Sequence, residues 1–193
     1  MKIALFALIL ILTACGSTAP QRQDFLLNSA RSAPAVASAT LGKLQVLELQ
    51  AHPPYRNLAL IYKESPQRFV ADPYHGFLAP LAQQISSQTR NWLAQSGAFS
   101  AVLSPSSAID ADWQLEGELQ AAYVDVSIPA APKVNLTVRY TASKGNTVHS
   151  WPLSQTVAID SAQPEHAVIG FNRALNALLL QLESSLLADS ELH

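Results

Sequence analysis

The chain has 193 residues, a formal net charge of −2 and 13% charged side chains. This length suits one domain with a substantial core, and nucleic-acid binding is disfavoured because lysine and arginine do not cluster. A lone cysteine, Cys15, excludes both an intramolecular disulfide and a metal site built from several thiolates.

An apolar run at residues 3–12 precedes this cysteine and follows Lys2. It is too short for a transmembrane helix, which needs about 20 apolar residues. A positive start and a short apolar core are instead typical of a secretory signal. The residues at its end match the lipobox that lipoprotein signal peptidase recognises: Leu12, Thr13, Ala14 and Cys15. We therefore expect cleavage before Cys15 and lipid attachment to its thiol, the alternative being an ordinary signal peptide with a chance cysteine.

Gly16, directly after the cysteine, indicates the membrane in which the lipid anchor is inserted. An Asp at this position commonly signals retention in the inner membrane, and Gly does not. A single acyl chain binds membranes only marginally, whereas several chains anchor stably. We expect the acylated chain to sit in the inner leaflet of the bacterial outer membrane and to face the periplasm.

The first half of the chain predicts short strands. Residues 29–42 are rich in Pro, Ala and Ser and indicate an extended loop. The prolines of "HPPY", at 52–55, end the second strand because proline donates no backbone hydrogen bond. The predicted strands cover 24–29, 44–50, 57–63 and 67–71.

A helix is predicted between Phe77 and Gly97, with Pro80 in its first turns and Gly97 as its C-cap. "ADPYHGF", at 71–77, is interpreted as the strand-to-helix turn before it. The apolar stripe consists of Phe77, Leu78, Leu81, Ile85, Trp92 and Leu93. The polar side consists of Gln83, Gln84, Ser87, Arg90 and Asn91.

Strict alternation then predicts an antiparallel meander with one wet face. After a short strand at 98–103, its strands begin at 113, 133 and 147, and the last two are joined by a turn at 144–146. The first strand should place these residues on one face: Trp113, Leu115, Gly117, Leu119, Ala121 and Tyr123. The second should bury Val134, Leu136, Val138 and Tyr140.

A long final helix is predicted to open at Pro164 and Glu165. Its apolar stripe consists of Val168, Phe171, Leu175, Leu178, Leu179, Leu182 and Leu186. Leu180 and Leu187 widen this stripe, which leaves two interpretations: core packing alone, or core packing with an oligomer contact along the same helix.

The sequence carries no motif for a nucleophile elbow, a zinc protease helix or a phosphate-binding loop. The histidines are scattered, and no two have the i, i+4 spacing of a helical metal pair. Asp72 and His75 could form an acid–base pair, but their setting favours a turn in which Asp72 or a neighbour lies near a helix cap. Neither a catalytic residue nor a cofactor is predicted.

The order of these segments resembles the ABC-type transport auxiliary lipoproteins, periplasmic partners of transport systems that contain MCE-domain proteins. The resemblance covers residues 25–187 and rests on the lipobox, "NLALIYK", "FVADPYHGFLAPLAQQISSQTRNWLAQSGAFSAVL", "DWQLEGELQAAYVD" and the Ala/Leu-rich last helix. Two motifs differ. The family often has Tyr-Tyr-x-Leu where this chain has Phe25-Leu26-Leu27, and Tyr-x-x-Trp where it has Tyr74-His75-Gly76-Phe77.

The resemblance implies an α+β (α/β-like) single domain in which two principal helices pack on a mixed sheet with an antiparallel meander. It also implies a non-enzymatic docking subunit for intermembrane lipid transport, with an MCE-domain protein and the ABC permease and ATPase as partners. The alternatives are an outer-membrane assembly or cell-wall cofactor lipoprotein and, from the enzyme class, a periplasmic hydrolase. Cargo and oligomeric state stay open.

The expected organisation follows from these elements. Residues 1–14 form the lipoprotein signal peptide, 15–22 the lipidated N-terminus and tether, 23–188 the periplasmic domain and 189–193 a C-terminal tail. The candidate partner surface is the aromatic turn with Tyr74, His75 and Phe77, because Tyr is common in interface hot spots. The alternative is that Tyr74 and Phe77 cap the core.

Overall fold

The structure, a computed structural model, describes residues 21–36, 41–189 and 192. The strands of this described part are β1 (Gln23–Phe25), β2 (Leu41–Val46), β3 (Gln50–Ala51), β4 (Ala59–Lys63), β5 (Phe69–Phe77), β6 (Phe99–Leu103), β7 (Trp113–Asp125), β8 (Lys133–Lys144) and β9 (Thr147–Ala158). The α-helices there are α1 (Leu81–Ser96) and α2 (Pro164–Ala188), and a short 3-10 turn spans Pro53–Tyr55.

All of these strands belong to one mixed sheet organised around β7. One edge of β7 pairs with antiparallel β8, which pairs with antiparallel β9. The other edge pairs in succession with three parallel strands, β2, β3 and β4. The sheet therefore forks: β2 continues to β6, whereas β4 continues through β5 to β1. This is the predicted α+β domain, with its meander at β7–β9.

The meander buries one face, as its alternation predicts. In β8 the side chains of Val134, Leu136, Val138 and Tyr140 are fully buried. In β7 the alternation holds only as far as Leu119, because a β-bulge at Gln120 inserts one unpaired residue between two ladder positions. The buried apolar positions beyond the bulge are Ala122 and Val124, so the expectation that Ala121 and Tyr123 share the face of Trp113 is wrong.

Helix α1 starts at Leu81 with Pro80 as its N-cap, and it ends at Gly97, whose φ of 72° lies in the left-handed region that favours glycine. Residues 71–77 are not the predicted turn, because β5 continues through them. The stripe is buried except for Leu78, which is exposed. Gln84, predicted on the polar side, is buried.

Helix α2 lies across β8 and β9 and packs beside α1. Every residue of its predicted apolar stripe is buried, from Val168 to Leu186. Gly170 lets the helix approach the sheet closely, since a Cβ there would lie 2.5 Å from Ile159 and 2.7 Å from Val134. Leu180 is exposed, whereas Leu187 packs partly buried against the core.

Candidate partner-binding surface

The candidate surface lies on a bulge of β5, at the forked side of the sheet. Ile61 and Ala59 of β4 pair with Ala71 and Gly76 of β5, so β5 has three more residues than β4 over this interval. Beyond the bulge, β1 pairs with β5 in parallel, from Gln23 opposite His75. The bulge thus lies where the chain from the N-terminal segment enters the sheet.

The Asp72 carboxylate organises this bulge. Its Oδ1 accepts hydrogen bonds from the backbone N–H groups of Tyr74, at 2.8 Å, and His75, at 3.0 Å. Its Oδ2 lies 2.9 Å from His75 Nδ1. Partial burial on its own raises the pKa of Asp72, but the hydrogen bonds from Tyr74 and His75 outweigh it, so the net pKa lies below the ordinary value. A charged Asp72 therefore fixes the backbone on which Tyr74 is carried.

Tyr62 ties β4 to the loop before α2, on the same side of the sheet. Its hydroxyl donates a hydrogen bond to the carbonyl of Ala162 at 3.2 Å. Burial raises the pKa of Tyr62 to about 12, and the negative charges of Asp72 and Glu165 add to the effect. The phenol therefore stays protonated at physiological pH and can donate this hydrogen bond to Ala162.

Gly76 permits the close approach of three chain segments. A Cβ at this position would lie 2.3 Å from the carbonyl oxygen of Leu58 and 2.6 Å from Nη2 of Arg22. The first of these neighbours is backbone and cannot move aside as a flexible side chain would. Gly76 is therefore required where β5 passes between β1 and β4.

The structure separates the three predicted partner-binding residues. Tyr74 is 45% exposed on the bulge, and the His75 side chain is partly exposed. Phe77 is only 2% exposed, and its ring meets Phe171 of α2 edge-on at a centroid distance of 5.8 Å. Phe77 thus takes the core alternative, which leaves Tyr74 and His75 as the surface candidates.

A backbone-binding groove between the helices was not predicted from the sequence. Residues 27–30 run between α1 and α2, and consecutive N–H groups donate to amide oxygens of alternate helices. These donors and acceptors are Leu27 to Gln84 at 2.7 Å, Asn28 to Asn172 at 2.9 Å, Ser29 to Gln88 at 3.2 Å and Ala30 to Asn176 at 3.2 Å. We call residues 27–31 the strap.

Arg31 closes the strap with a buried ion pair. Its Nη2 and Nε donate to Oε1 and Oε2 of Glu183 at 2.8 and 2.9 Å, and Trp92 Nε1 donates to Oε2 at 2.7 Å. The hydrogen bond from Arg31 lowers the pKa of Glu183 and outweighs the effect of burial. Trp92 of α1, Glu183 of α2 and Arg31 are thereby joined, so the strap is fixed to both helices.

The outer face of the sheet carries a shallow depression of about 440 Å³. Glu48, Glu116 and Glu118 line it together with Arg139. These glutamates are exposed to solvent, which is typical of a hydrated sheet face. Across residues 21–36, 41–189 and 192, no three His, Cys, Asp or Glu side chains are placed to hold a metal ion.

The lipobox residues Leu12, Thr13, Ala14 and Cys15 lie outside the described residues, as do the signal peptide and most of the tether. In the described part of the chain, neither helix combines the length and apolar character that crossing a membrane requires.

Comparison with known proteins relates the chain by fold. No family model and no curated protein sequence matches it. Protein XCC0632 from Xanthomonas campestris, of the DUF330 family, superposes with a TM-score of 0.74 at 15% identity, over 86% of this chain and 95% of that one. An uncharacterized protein superposes with a TM-score of 0.69 at 10% identity, over 86% of this chain and 99% of that one. The hypothetical protein CT253 from Chlamydia trachomatis superposes with a TM-score of 0.51 at 11% identity, over 78% of this chain and 100% of that one. At these identities the likeness shows the fold alone.

Proposed function

We propose that this chain is a non-enzymatic, membrane-anchored lipoprotein subunit of an ABC/MCE-type transport system. It docks an MCE-domain protein and its associated permease and ATPase from the inner leaflet of the outer membrane. The docking role is inferred from Tyr74, whose aromatic side chain is exposed on a bulge that hydrogen bonds to Asp72 hold in place. The lipobox and the resemblance of the whole domain support the anchor and the transport system.

The geometry suits recognition of another protein. A tyrosine presented on a fixed backbone loses little conformational entropy on binding, and its ring offers a large contact area. His75 is held beside it by Asp72 at 2.9 Å, so both side chains start from a defined position. The bulge is next to β1, where the tether enters, and this proximity keeps the docking surface near the anchored end of the domain.

Tyr74→Ala tests the docking surface. Asp72 accepts from the backbone N–H of Tyr74, so truncating the side chain leaves the bulge and its hydrogen bonds in place. We expect the melting temperature to stay within about 2 °C of wild type, as for other exposed substitutions. Affinity purification of the lipidated protein from membranes should recover an MCE-domain protein, permease or ATPase with wild type and at least tenfold less with Tyr74→Ala.

Val148→Ala is the matched control, since Val148 is also exposed but lies on β9, at the opposite edge of the sheet. It should recover the partner as wild type does. Undiminished recovery with Tyr74→Ala would place the docking surface elsewhere. Repeated recovery of cell-wall synthases by wild type would contradict the transport role and favour a cell-wall cofactor instead.

A further inference from the structure

Three exposed leucines lie on neighbouring chain segments at one corner of the forked sheet. The N–H of Leu78 donates to the carbonyl of Phe25 at 2.9 Å, so Leu78 lies beside Leu26. On the other side, the N–H of Phe77 donates to the carbonyl of Leu58. Leu26 is 56%, Leu58 37% and Leu78 62% exposed. We call Leu26, Leu58 and Leu78 the leucine corner.

Three exposed leucines on neighbouring segments differ from single exposed apolar residues, which are normal on any protein surface. Leu78 belongs to the regular apolar stripe that predicts α1, yet it ends outside the core because β5 continues to Phe77 and α1 starts only at Leu81. Leu26 follows β1 in the same way, and only its neighbour Leu27 turns into the core. The chain thus directs three large apolar side chains towards solvent at one place.

The tether limits how far the leucine corner can lie from the lipid anchor. Cys15 and Gln21 are six residues apart, so the intervening chain spans about 20 Å at most. From Gln21 the chain passes through β1 and reaches Leu26 after five more residues, about 17 Å when extended. A lipid on Cys15 therefore keeps the leucine corner within reach of the bilayer surface. The strap holds residues 27–31 to both helices, so β1 cannot move away from the domain and lengthen the tether.

The charges beside the corner fit the same surface. Arg56 is exposed and lies two residues before Leu58 in the chain, and its Nε donates to the carbonyl of Ala51 at 3.0 Å. Asp24 of β1 is neutralised by Arg22, whose Nε lies 2.8 Å from its Oδ1. Exposed apolar side chains with an exposed cation close by in the chain suit the boundary between acyl chains and anionic headgroups.

We propose that the leucine corner lies against the phospholipid surface and fixes the orientation of the anchored domain. This inference rests on the lipid anchor of the proposed function and adds the face that meets the membrane. Leu26, Leu58 and Leu78 enter the headgroup region, and the bulge with Tyr74 is then held at a set height above the bilayer for the partner.

The lone cysteine of the chain makes the test direct. Once Cys15 carries lipid, Leu78→Cys supplies a single free thiol for an environment-sensitive fluorophore. The matched control is Val148→Cys, because Val148 is 61% exposed and lies on β9, at the other edge of the sheet. Both lipidated proteins are reconstituted into vesicles of phosphatidylethanolamine and phosphatidylglycerol with and without nitroxide-labelled lipid.

We expect nitroxide lipid to quench the label at 78 at least threefold more strongly than the label at 148. Adding Leu26→Ser and Leu58→Ser should reduce quenching at 78 to the level at 148. Equal quenching at both sites, in protein that floats with the vesicles, would overturn the inference and leave the anchor intact. Protein that does not float would contradict the lipid anchor of the proposed function itself.

Discussion

Glu183 shows how much one buried charge contributes to holding the strap. Its carboxylate is buried between Arg31, which binds both oxygens, and the indole N–H of Trp92. Arg31 also donates to three backbone carbonyls, those of Ala33, Pro34 and Gln95. Breaking a buried ion pair costs about 3–5 kcal/mol because the remaining charge loses its partner.

Glu183→Gln should therefore destabilise the domain by about 3 kcal/mol, the lower end of that range, because Arg31 keeps three carbonyl partners and Trp92 keeps an acceptor. The folded-state pKa of Glu183 lies below its ordinary value of 4.5, so the stabilisation is present above pH 4.5 and is lost as the pH falls through the folded pKa. Urea unfolding from pH 7 to pH 3 should show the difference between wild type and variant shrinking below about pH 4.5.

Glu116→Gln is the control for this titration, since Glu116 is exposed on the outer face of β7. Its effect should stay within about 0.5 kcal/mol at every pH. A difference between wild type and Glu183→Gln that is constant down to pH 3 would contradict the assigned role of the ion pair.

At the scale of elements, the strap depends on a match between the repeat of an extended chain and the repeat of an α-helix. Successive N–H groups of an extended chain point to opposite sides, and residues two apart are separated by about 6.6 Å. Side chains four apart on a helix are spaced by about 6 Å. Gln84 and Gln88 on α1 and Asn172 and Asn176 on α2 thus reach alternate N–H groups of one strap.

Replacing Asn172 and Asn176 together by Ala should remove the hydrogen-bond acceptors of every second backbone N–H group of the strap. We expect hydrogen exchange at Asn28 and Ala30 to accelerate at least tenfold, because their N–H groups lose the acceptors on α2. Leu27 and Ser29 should keep most of their protection through Gln84 and Gln88. Amide exchange measured by NMR would resolve the alternation, and uniform loss along the strap would show that the amides act collectively instead.

Pro152 lies in β9, an edge strand that among the described residues pairs only with β8. Its register opposite Arg139 is uninterrupted, so the proline nitrogen, which has no hydrogen, points away from β8. Proline on an edge strand interrupts the row of donors that another strand could pair with.

Pro152→Thr should complete that row and increase self-association relative to wild type, seen as a concentration-dependent rise in sedimentation coefficient. Ser150→Thr is the matched control, because it adds a β-branched side chain to the same strand without adding a donor. Unchanged sedimentation of Pro152→Thr would mean that this edge is protected by other means.

For the whole molecule, the spacing of apolar residues in the sequence correctly predicted the helices and strands that bury one regular face. The stripe of α2 and the alternation of β8 suffice for that, since each repeats over many residues. Periodicity failed at Gln120 and at residues 72–75, because a bulge depends on which strand pairs opposite and not on local composition.

The candidate site was predictable only in part for a related reason. Tyr74 and Phe77 are both aromatic and close in sequence, and only the pairing of β5 with β1 and β4 sends one outward and the other into the core. The strap was missed because Gln84 and Gln88 have the composition of a solvated helix face. Their partner is a segment about 60 residues away, and no local pattern reports a contact at that separation.

The last prediction concerns the anchor, whose residues lie outside the described part of the chain. Thioether formation needs the Cys15 sulfur, so Cys15→Ser should leave an uncleaved precursor that incorporates no radiolabelled palmitate. The substitution leaves the core and strap of the described domain unchanged, and the melting temperature should therefore match that of the processed protein. Ser17→Ala, two residues further on, should be cleaved and acylated normally. Palmitate incorporation into Cys15→Ser would contradict the lipoprotein assignment, whereas a lowered melting temperature would show that the processed N-terminus contributes to the fold.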